Sequence, residues 1–596
     1  MCFRNLPIEF DEKGKPYLKS DTGDPWDPPE IGSGIGNGPA VAQPAGVTDF
    51  TIDPVTRVAG ALGFHTRCDL DNRRIVEAHS YATLFRGYEI ILKGRDPRDA
   101  IDISSRACGV CGAVHSTCSS LALEMTFPVV PPPLGIVVRN LGETAEFLYD
   151  HPLHLFLLAG PDYSEQAFAA TNPEILARAR DAKAPGQAVH RFTTIGEILA
   201  ALNPLTGSLY REAFQITRLA REMCCLMYGK YPHPSTLLPG GCMTTINFTS
   251  FNDYYRRLLT LYDYAKRAVA IWDDVFDFLL EVEPRYAEVG RRPNSQLGPG
   301  IFDDPEVYDA KYESASVWGE RRWATPGAIV NGELRTTKLQ EINLGVEEFV
   351  PHSFYEDWQP GEVPFPKDPT GAPLSPYHPW NKRTIPKPTA RTWKEKYSWA
   401  TSPRWDRNVM EAGCYSRIWF TAIAQKMPGN PYIEATGHSL KMRVPGHLLP
   451  AMELEWKVPA VLNTIERNRA RAYCIPWMAL IALNNLNKGF ELLKKGETKV
   501  HTPYQIPKGH RIGVGFWEAG RGYLTHHVEL DGGKIKNYQI LTPSTWNASP
   551  QDPWGNPGAY EQAVLNTPIL ENFKDASDFK GIDIQRVIRS FDPCMP

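Results

Sequence analysis

Two cysteines separated by two residues give the chain its strongest local chemical signal. Cys108 and Cys111 stand in the segment RACGVCGAVH, which begins at Arg106 and ends at His115. Two thiolates at this spacing can hold one soft metal ion, and the glycine between them lets the backbone turn tightly around it. Taken alone, the pair also fits a redox dithiol, half of a structural zinc site or two core thiols, so it does not decide between them.

A zinc site formed by this segment alone would need His115 and Cys118 as its remaining ligands. The gaps before these two residues are shorter than in zinc knuckles, and the sequence after Ser116 continues into an apolar helical run, Leu121–Leu123. We therefore predict that Cys118 is a core thiol on a helix face. His115 is predicted to donate a hydrogen bond to a metal-bound sulfur.

The end of the chain supplies a third cysteine of interest, in the sequence Asp592-Pro593-Cys594. An early R-x-C-G-x-C-x-x-x-H motif combined with a terminal D-P-C motif resembles the two cysteine motifs of the large subunit of nickel–iron hydrogenases. The resemblance covers the chain from about residue 50 to its end. Further segments similar to the family follow in the family's order: 53–58 (DPVTRV), 85–89 (FRGYE), 94–97 (GRDP), 232–234 (PHP), 239–241 (PGG), 397–399 (YSW), 518–522 (EAGRG) and 543–547 (PSTWN).

The resemblance implies a bimetallic centre and a reaction. In the family, four thiolates hold nickel, and two of them bridge it to an iron that carries cyanide and carbon monoxide. By position, Cys108 and Cys594 would be terminal nickel ligands and Cys111 a bridging ligand, and soft thiolates suit both metals. The implied reaction is H2 ⇌ 2 H+ + 2 e−, with heterolytic cleavage of dihydrogen.

Three polar residues near the end of the chain are implied to surround the metals. Arg521 matches the arginine over the metals, where its guanidinium would donate to a cyanide nitrogen, and Asp592 would be its carboxylate partner. Ser544 matches the hydroxyl that donates to the other cyanide. Without the resemblance, Arg521 would be an exposed loop residue and Ser544 a turn cap. We predict Arg521, Asp592 and His115 as catalytic residues, and Arg521 and Ser544 as cofactor-binding residues.

A structural magnesium ion is also implied near the site. Glu89 matches a carboxylate ligand of that ion, and the backbone carbonyl of Ile540 would be another ligand. Hard oxygen donors suit Mg2+. Without the resemblance, Glu89 would be an ordinary surface residue after Gly87.

The sequence departs from the family pattern in ways that bear on the site. The family's terminal motif continues with a second cysteine and a histidine, whereas the sequence stops at Pro596, so we expect these two ligands beyond it. Ala59 stands where most relatives have a glutamate that accepts protons from a nickel-bound thiolate, and alanine cannot transfer a proton. Glu518 and His115 are the remaining candidates. Together with Gly520 in place of the usual proline, Ala59 makes the chain similar to the actinobacterial-type uptake branch.

Electrons are predicted to leave through a partner, because no further cysteine set remains to bind iron–sulfur clusters. The family implies a small subunit that carries those clusters, often in a dimer of heterodimers. One alternative is a hydrogen sensor, whose metal ligands would look the same. Another is a homologue like the quinone-site subunit of respiratory complex I, but such relatives have lost the thiolates that Cys108, Cys111 and Cys594 supply here.

Long helices are predicted to position these groups, in an α+β, mostly α fold with a central helix bundle and small peripheral sheets. Segments 136–160, 205–229 and 451–495 have helical patterns, and Pro133 and Pro152 should bound or distort the first. Strand-like alternation occurs at 51–79, with a turn at 69–72, and at 511–516 and 538–541. Between 258 and 280, apolar residues recur at spacings of four and three, on one helix face: Leu258, Tyr262, Ala265, Val269, Trp272, Phe276 and Leu279.

The domain organisation is predicted from composition. Residues 1–48 are polar and rich in Gly and Pro, which indicates an extended N-terminal arm. Residues 49–596 form a single domain, because the family motifs run through it. Within it, residues 290–405 are dense in Pro, Trp and Tyr, which indicates a long irregular insertion.

Composition excludes several classes of protein. With 42% hydrophobic residues and 22% charged residues, the chain can form an ordinary folded core. The net charge of −4 and the absence of a basic stripe argue against nucleic acid as a partner. No export signal or membrane-spanning stretch is visible, so we expect a cytoplasmic chain that a partner could attach to a membrane.

The eleven cysteines are an odd count that does not suit a disulfide scaffold. Seven of them are predicted to be single buried thiols: Cys2, Cys68, Cys224, Cys225, Cys242, Cys414 and Cys474.

Overall fold

Helices outweigh strands in this fold. The computed structural model describes residues 3–19, 26, 46–357, 363–447 and 449–595. It is 39% helical and 20% strand, and the strands are divided among small sheets. The predicted α+β, mostly α fold class is therefore confirmed. In these described ranges, none of the helices has the length and apolar character needed to span a membrane.

The regular elements have the following bounds. The helices are α1 (Tyr88–Ile91), α2 (Asp99–Ser105), α3 (Gly112–Thr126), α4 (Pro133–Pro152), α5 (Glu165–Thr171), α6 (Pro173–Asp181), α7 (Gln187–His190), α8 (Ile195–Ala201), α9 (Ser208–Tyr228), α10 (Phe248–Val282), α11 (Ala315–Glu320), α12 (Leu339–Leu344), α13 (Cys414–Ala424), α14 (Thr464–Lys494), α15 (Pro543–Asn547), α16 (Ala559–Leu565) and α17 (Ile582–Ser590). The strands are β1 (Ile8–Phe10), β2 (Pro16–Leu18), β3 (Val47–Ile52), β4 (Ala59–Gly60), β5 (Leu62–Asp69), β6 (Arg74–Ala82), β7 (Leu237–Leu238), β8 (Gly241–Cys242), β9 (Gln296–Gly298), β10 (Gly327–Val330), β11 (Glu333–Thr336), β12 (Val346–Phe349), β13 (Ser402–Trp405), β14 (Ile433–Ala435), β15 (Ser439–Val444), β16 (Met452–Lys457), β17 (Arg511–Ala519), β18 (Gly522–Asp531), β19 (Lys534–Leu541) and β20 (Cys594–Met595).

Four long helices, α4, α9, α10 and α14, pack together at the centre. Helix α10 begins after Asn247, whose side chain accepts a hydrogen bond from the backbone N–H of Ser250, while the Ser250 hydroxyl accepts from Asn247 in return. All seven apolar positions predicted for the face between 258 and 280 are buried. The predicted bundle helix is confirmed, and it extends beyond the predicted range at both ends.

Helix α4 is buried along nearly its whole length and carries acidic side chains into the interior. It begins at Pro133, where a missing N–H costs no hydrogen bond, and ends at Pro152, after which a π-helical turn follows. The predicted effect of these two prolines is confirmed. Glu143, Glu146 and Asp150 are buried on one face of this helix. Because buried charges need partners, this face must contact polar groups of its neighbours.

Two antiparallel sheets lie around the bundle. Strands β3, β5 and β6 form one sheet, with the predicted turn between β5 and β6. Strands β17, β18 and β19 form another, which confirms the strands predicted at 511–516 and 538–541. Ala519 faces Gly522 where β17 turns into β18, so Arg521 lies in a tight turn at the end of this sheet.

The segment 451–495 is not a single helix as predicted. Its first part forms β16, and helix α14 begins only at Thr464. Pro459 disfavours a helix across the junction. Asn463 then caps α14, because its side chain accepts a hydrogen bond from the backbone N–H of Glu466.

The segment 290–405 is more regular in its first half than its composition indicates. It contains the short helices α11 and α12, and the four-residue strands β12 and β13 pair across it. Among its described residues, the longest part without helices and strands lies between 350 and 401. Strands this short are set by pairing with distant partners, which a local sequence pattern does not reveal.

The N-terminal region is described for residues 3–19 and for Trp26, and the remainder of residues 1–45 lies outside the described residues. Residues 3–19 include the β1–β2 hairpin. The Asp406 carboxylate accepts hydrogen bonds from the backbone N–H groups of Arg4, Asn5 and Leu6. The division into an arm and one domain stays a prediction.

Candidate metal centre

Three buried sulfur atoms meet at one point, although their residues lie near opposite ends of the chain. Sγ of Cys594 is 2.9 Å from Sγ of Cys108 and 3.8 Å from Sγ of Cys111. All three side chains are buried, and their sulfurs lie within 4.8 Å of one another. Soft metal ions bind thiolate sulfur at about 2.3 Å, so this arrangement can hold one such ion.

The pKa values of the three thiols are shifted in different directions. Hydrogen bonds from Cys111 and Cys594 hold the pKa of Cys108 well below its usual range, although burial opposes this shift. The same contacts, with burial, raise the pKa of Cys111 and of Cys594 well above the usual range. A metal ion that binds all three sulfurs as thiolates would displace the protons that they carry.

The start of α3 places the first two cysteines. Cys111 is the residue that precedes α3, and its backbone N–H and that of Val110 each donate to Sγ of Cys108 at 3.3 Å. These two N–H groups favour a thiolate at Cys108. Glycine is needed at position 112, because a Cβ there would lie 2.7 Å from Nδ1 of His233.

A two-residue parallel strand pairing places Cys594. In it, β20 lies beside β4, with Cys594 opposite Ala59 and Met595 opposite Gly60. The backbone N–H of Ala59 also donates to the carbonyl of Pro593 at 3.1 Å. Gly60 has a φ of +88°, and a Cβ there would lie 1.8 Å from the carbonyl oxygen of Met595. Only glycine permits this close approach, which brings β4, near the start of the chain, beside β20, near its end.

Arg521 is fully buried and faces two carboxylates. Its Nη2 donates to Oδ1 of Asp592 at 3.1 Å, and its Nη1 lies 2.9 Å from Oδ1 of Asp150. Burial lowers the pKa of Arg521, but Asp150, Asp592 and the thiols of Cys594 and Cys111 raise it well above its usual value. Arg521 is therefore a fixed positive charge within electrostatic reach of the sulfur cluster.

Asp592 is the acceptor at the centre of a buried charge network. In addition to Arg521, Arg471 donates to its Oδ2 at 2.9 Å, and Nδ1 of His154 lies 3.0 Å from its Oδ1. Burial raises the pKa of Asp592, but the attraction of Arg521, His154 and Arg471 outweighs it and holds the pKa well below its usual range. Asp592 has a φ of +56°, where the chain turns from α17 into β20.

Sequence reasoning missed the acidic face of α4. Oε2 of Glu146 accepts a hydrogen bond from the backbone N–H of Ala113 at 2.9 Å, and Oε1 of Glu143 accepts from the Tyr228 hydroxyl at 3.0 Å. Burial raises the pKa of Glu146 well above its usual range and that of Glu143 to about 7. The available signal was the spacing of acids at 143, 146 and 150 in an otherwise largely apolar helix, which places them on one face.

Ser544 and His115 both lie beside the cysteine segments. Oγ of Ser544 accepts a hydrogen bond from the backbone N–H of Cys594 at 2.8 Å, so its own hydrogen can be donated elsewhere. His115 lies one turn of α3 after Cys111, but its Nδ1 is 3.2 Å from Nε2 of His526. Burial lowers the pKa of His115 to about 4, so its ring is neutral at pH 7. The catalytic and cofactor-binding roles of these residues stay predictions.

The two predicted magnesium ligands come together at the edge of a cavity. Oε1 of Glu89 accepts a hydrogen bond from the backbone N–H of Ile540 at 3.1 Å. Nζ of Lys382 lies 3.5 Å from Glu89 and 2.6 Å from Glu348. These four residues and Met595 contribute to the lining of a cavity of about 120 Å³. Glu348 and Lys382 were not predicted, because their approach depends on the irregular segment between 350 and 401.

A family model covers most of the chain. The model for nickel-dependent hydrogenases matches residues 86–202 and 197–596, which include all three cysteines of the cluster. The chain belongs to the nickel-dependent hydrogenase family. The family and the enzyme class predicted from the sequence are thereby confirmed, and a nickel–iron centre is supported.

Individual hydrogenases match this chain over nearly its whole length. The chain is similar to the actinobacterial-type NiFe-hydrogenase from Ralstonia eutropha H16, with 44% identity, 92% of this chain and 99% of that chain covered, and a TM-score of 0.90. It is 29% identical to the hydrogenase-1 large chain of Escherichia coli and to the uptake hydrogenase large subunit of Rhizobium leguminosarum, over 92% of this chain and 94% of each relative. The first similarity agrees with the branch suggested by Ala59 and Gly520.

In this hydrogenase, the position of Ala59 beside Cys594 carries no carboxylate. Glu518, one of the two predicted candidates for proton transfer, accepts from Nε of Arg417 at 2.7 Å and from the backbone N–H of Gly300 at 2.9 Å. Burial raises the pKa of Glu518, and the attraction of Arg417 opposes that shift. Glu518 is therefore held in a buried ion pair on the side of β17 that faces α13.

Proposed function

We propose that this chain is the catalytic large subunit of a nickel–iron hydrogenase that oxidises dihydrogen and passes the electrons to an iron–sulfur small subunit. The observation that carries the proposal is the meeting of Cys108, Cys111 and Cys594 in one buried cluster, with sulfur separations of 2.9 and 3.8 Å. A fixed guanidinium, that of Arg521, acts on the same cluster. These residues are far apart in the sequence, so the fold and not their proximity in the chain brings them together.

The donors around the cluster fit a nickel–iron centre whose iron carries cyanide and carbon monoxide. When bound, that centre supplies the site of heterolytic H2 cleavage and accepts the two electrons. Cys108, Cys111 and Cys594 would hold the nickel, with Cys111 also toward the iron. Within the described residues, Nε of Arg521 lacks a hydrogen-bond acceptor, and Oγ of Ser544 accepts from the backbone N–H of Cys594, so that its own O–H can donate. Two such donors suit the nitrogen atoms of two cyanides.

Charged side chains of the protein fix the orientation of Arg521 at this site. Asp592 and Asp150 hold Arg521 from two sides, so that its planar group has one orientation. A fixed positive charge in a buried site stabilises an anionic thiolate cluster without reorganisation. We assign Arg521 the role of orienting and stabilising the centre, and Asp592 the role of positioning Arg521.

The cavity beside Met595 fits the proposed magnesium ion. Glu89 and Glu348 supply two carboxyl groups, and Lys382 supplies one positive charge, at a cavity of about 120 Å³. Hydrated Mg2+ binds through few carboxylates and keeps several waters. Glu89 and the Ile540 carbonyl are its proposed protein ligands.

The proposed partner follows from electron flow. The relatives are named large chains or large subunits, and the cysteine clusters in the described residues contain only three ligands each, fewer than an iron–sulfur cluster requires. We propose that an iron–sulfur small subunit accepts the electrons, in a dimer of heterodimers. A cytoplasmic location is proposed for this assembly.

The test uses the full chain produced with its small subunit. Nickel and iron per chain are measured by elemental analysis, and H2-dependent reduction of a viologen dye is followed. We expect nickel, iron and activity in the unmodified complex, and loss of both nickel and activity in Cys594→Ser. Cys242→Ser is the matched control, since Cys242 is another buried thiol and is outside the cluster. A Cys594→Ser complex with full nickel content and full activity would overturn the proposal.

A further inference from the structure

A second cluster of metal-ligand side chains lies deep in the protein, away from the cysteines assigned to nickel. His151 at the end of α4, Cys414 at the start of α13 and Cys474 within α14 place their ligand atoms within 4.8 Å of one another. All three side chains are buried. No local motif indicates this cluster, because its members are separated by 60 residues or more.

The cluster is close to, but distinct from, the metal centre described above. Sγ of Cys414 lies 3.4 Å from the carbonyl oxygen of Gly520, and Gly520 immediately precedes Arg521. His151 likewise follows Asp150, the second carboxylate that faces Arg521. The cluster therefore lies behind the backbone that carries Arg521, and it does not include Cys108, Cys111 or Cys594.

The distances suit a metal ion. Sγ of Cys414 is 3.8 Å from both ring nitrogens of His151. A bound soft ion has metal–sulfur and metal–nitrogen distances of about 2.3 and 2.0 Å, and an angle of about 120° between those bonds separates sulfur from nitrogen by about 3.7 Å. The spacing between Cys414 and His151 therefore suits one shared metal ion, and the ligand atom of Cys474 lies within 4.8 Å of both.

The charges around the cluster select the kind of ion. Arg417 and Arg471 act on both thiols, and within the described residues Nη1 of Arg417 and Nε of Arg471 have no hydrogen-bond acceptor. Burial raises the pKa of Cys414, but the hydrogen bond from Cys474 and the charges of Arg471 and His151 outweigh it and hold the pKa well below its usual value. Burial and the same hydrogen bond raise the pKa of Cys474. Both sulfurs therefore lie within reach of positive charge, which favours their thiolate forms.

We propose that His151, Cys414 and Cys474 form a second metal site that binds one copper(I) ion. Cu+ binds both sulfurs as thiolates: two Cu–S bonds form, each sulfur that carries a proton releases it as H+, and no electrons are transferred. Thiolate and imidazole ligands suit Cu+. Zn2+ would place one more positive charge than Cu+ next to Arg417 and Arg471, and it prefers a fourth ligand, whereas the cluster in the described residues has three.

The experiment uses the nickel-containing complex of this chain with its small subunit. The complex is exposed anaerobically to Cu+ in a weak chelator, passed through a desalting column, and analysed for copper, zinc and nickel. We expect one copper per chain with nickel unchanged. Copper X-ray absorption should show two sulfur ligands and one nitrogen ligand at the copper.

Variants assign the site. Cys474→Ser and His151→Gln should lower copper retention by more than about tenfold, whereas Cys242→Ser, which changes another buried thiol, should retain it. Nickel content reports whether each variant still folds. If a variant loses nickel as well, the copper ligand set of the unmodified complex decides the question.

Several results would overturn the proposal. These are no retained copper, retained copper in a nickel-containing Cys474→Ser complex, or copper that replaces nickel one for one, which would place it at Cys108, Cys111 and Cys594 instead. A four-coordinate zinc ion in the isolated complex would contradict the choice of ion. A Cys414–Cys474 disulfide that resists Cu+ would show a redox pair and no metal site.

Discussion

Replacing Gly60 by alanine should remove nickel from the protein, although residue 60 is not a metal ligand. A Cβ at this position would lie 1.8 Å from the carbonyl oxygen of Met595, the residue that follows Cys594. To reach even the shortest contact that real Cβ atoms show, 3.0 Å, the two strands must separate by about 1.2 Å. Metal–ligand distances tolerate only about 0.2 Å. The displacement of β20 is therefore several times larger than the cysteine cluster can absorb.

The matched control separates this contact from backbone strain. Gly332 has a φ of +84°, close to the +88° of Gly60, but a Cβ there would meet nothing within 4 Å. Both substitutions introduce a strained left-handed residue at about 1 kcal/mol. We expect nickel per chain to fall more than about tenfold in Gly60→Ala and to stay unchanged in Gly332→Ala. Equal nickel content in the two variants, measured on purified complexes with the small subunit, would refute the placement of Cys594 by this strand pairing.

Three further predictions follow from the charge networks. Arg521→Lys keeps the charge but not the planar fork, so nickel content should stay nearly intact while H2 oxidation falls by about 100-fold or more; unchanged turnover would remove Arg521 from the site. Asp592→Asn leaves Arg521 and Arg471 without their shared carboxylate and should lower the free energy of unfolding by about 3 kcal/mol in denaturant titrations. A loss below about 1 kcal/mol would contradict a central role of Asp592 in this charge network. The hydrogen bond from His79 lowers the pKa of Glu77 to about 2, so ionised Glu77 stabilises the folded state above its unfolded pKa, and this stabilisation is lost as the pH falls toward 2. Because Glu77 is partly exposed, Glu77→Gln should lower the free energy of unfolding by only about 1 kcal/mol at pH 7 and by nothing below pH 2. An equal loss at both pH values would contradict this role of Glu77.

The sequence was sufficient where chemistry is encoded in residue type and local spacing. Cys108 and Cys111 could be selected because they form a C-x-x-C pair within a longer motif, and Cys594 because it belongs to a distinctive terminal motif. The structure brings all three together. It also places Arg521 3.1 Å from Asp592, as the family resemblance implied. The helix over 258–280 was predictable because one apolar face repeats through it.

Residues that act through tertiary contacts could not be found in this way. Asp150 faces Arg521 only because α4 crosses the turn between β17 and β18. Cys414 and Cys474 were predicted to be single buried thiols, but α13 and α14 bring them together beside His151, so that prediction was wrong for these two. Cys225 was also predicted to be buried and is exposed.

The local sequence pattern also failed to predict a boundary between a strand and the helix that follows it. In the segment 451–495, a helical pattern predicted one helix, but Pro459 and the Asn463 cap divide it into β16 and α14. Burial of long apolar stretches is common to strands and helices, so breakers and caps carry the distinguishing information.

The most direct test of the central claim is the infrared spectrum of the complete complex with its small subunit, in the region of carbonyl and cyanide stretching. If Cys108, Cys111 and Cys594 hold a nickel–iron centre beneath Arg521, the spectrum should show one carbonyl band and two cyanide bands that shift when H2 is added. Removing the Arg521 fork by Arg521→Lys should move the cyanide bands and leave the nickel content in place. A complex that contains nickel but shows none of these bands would contradict the account.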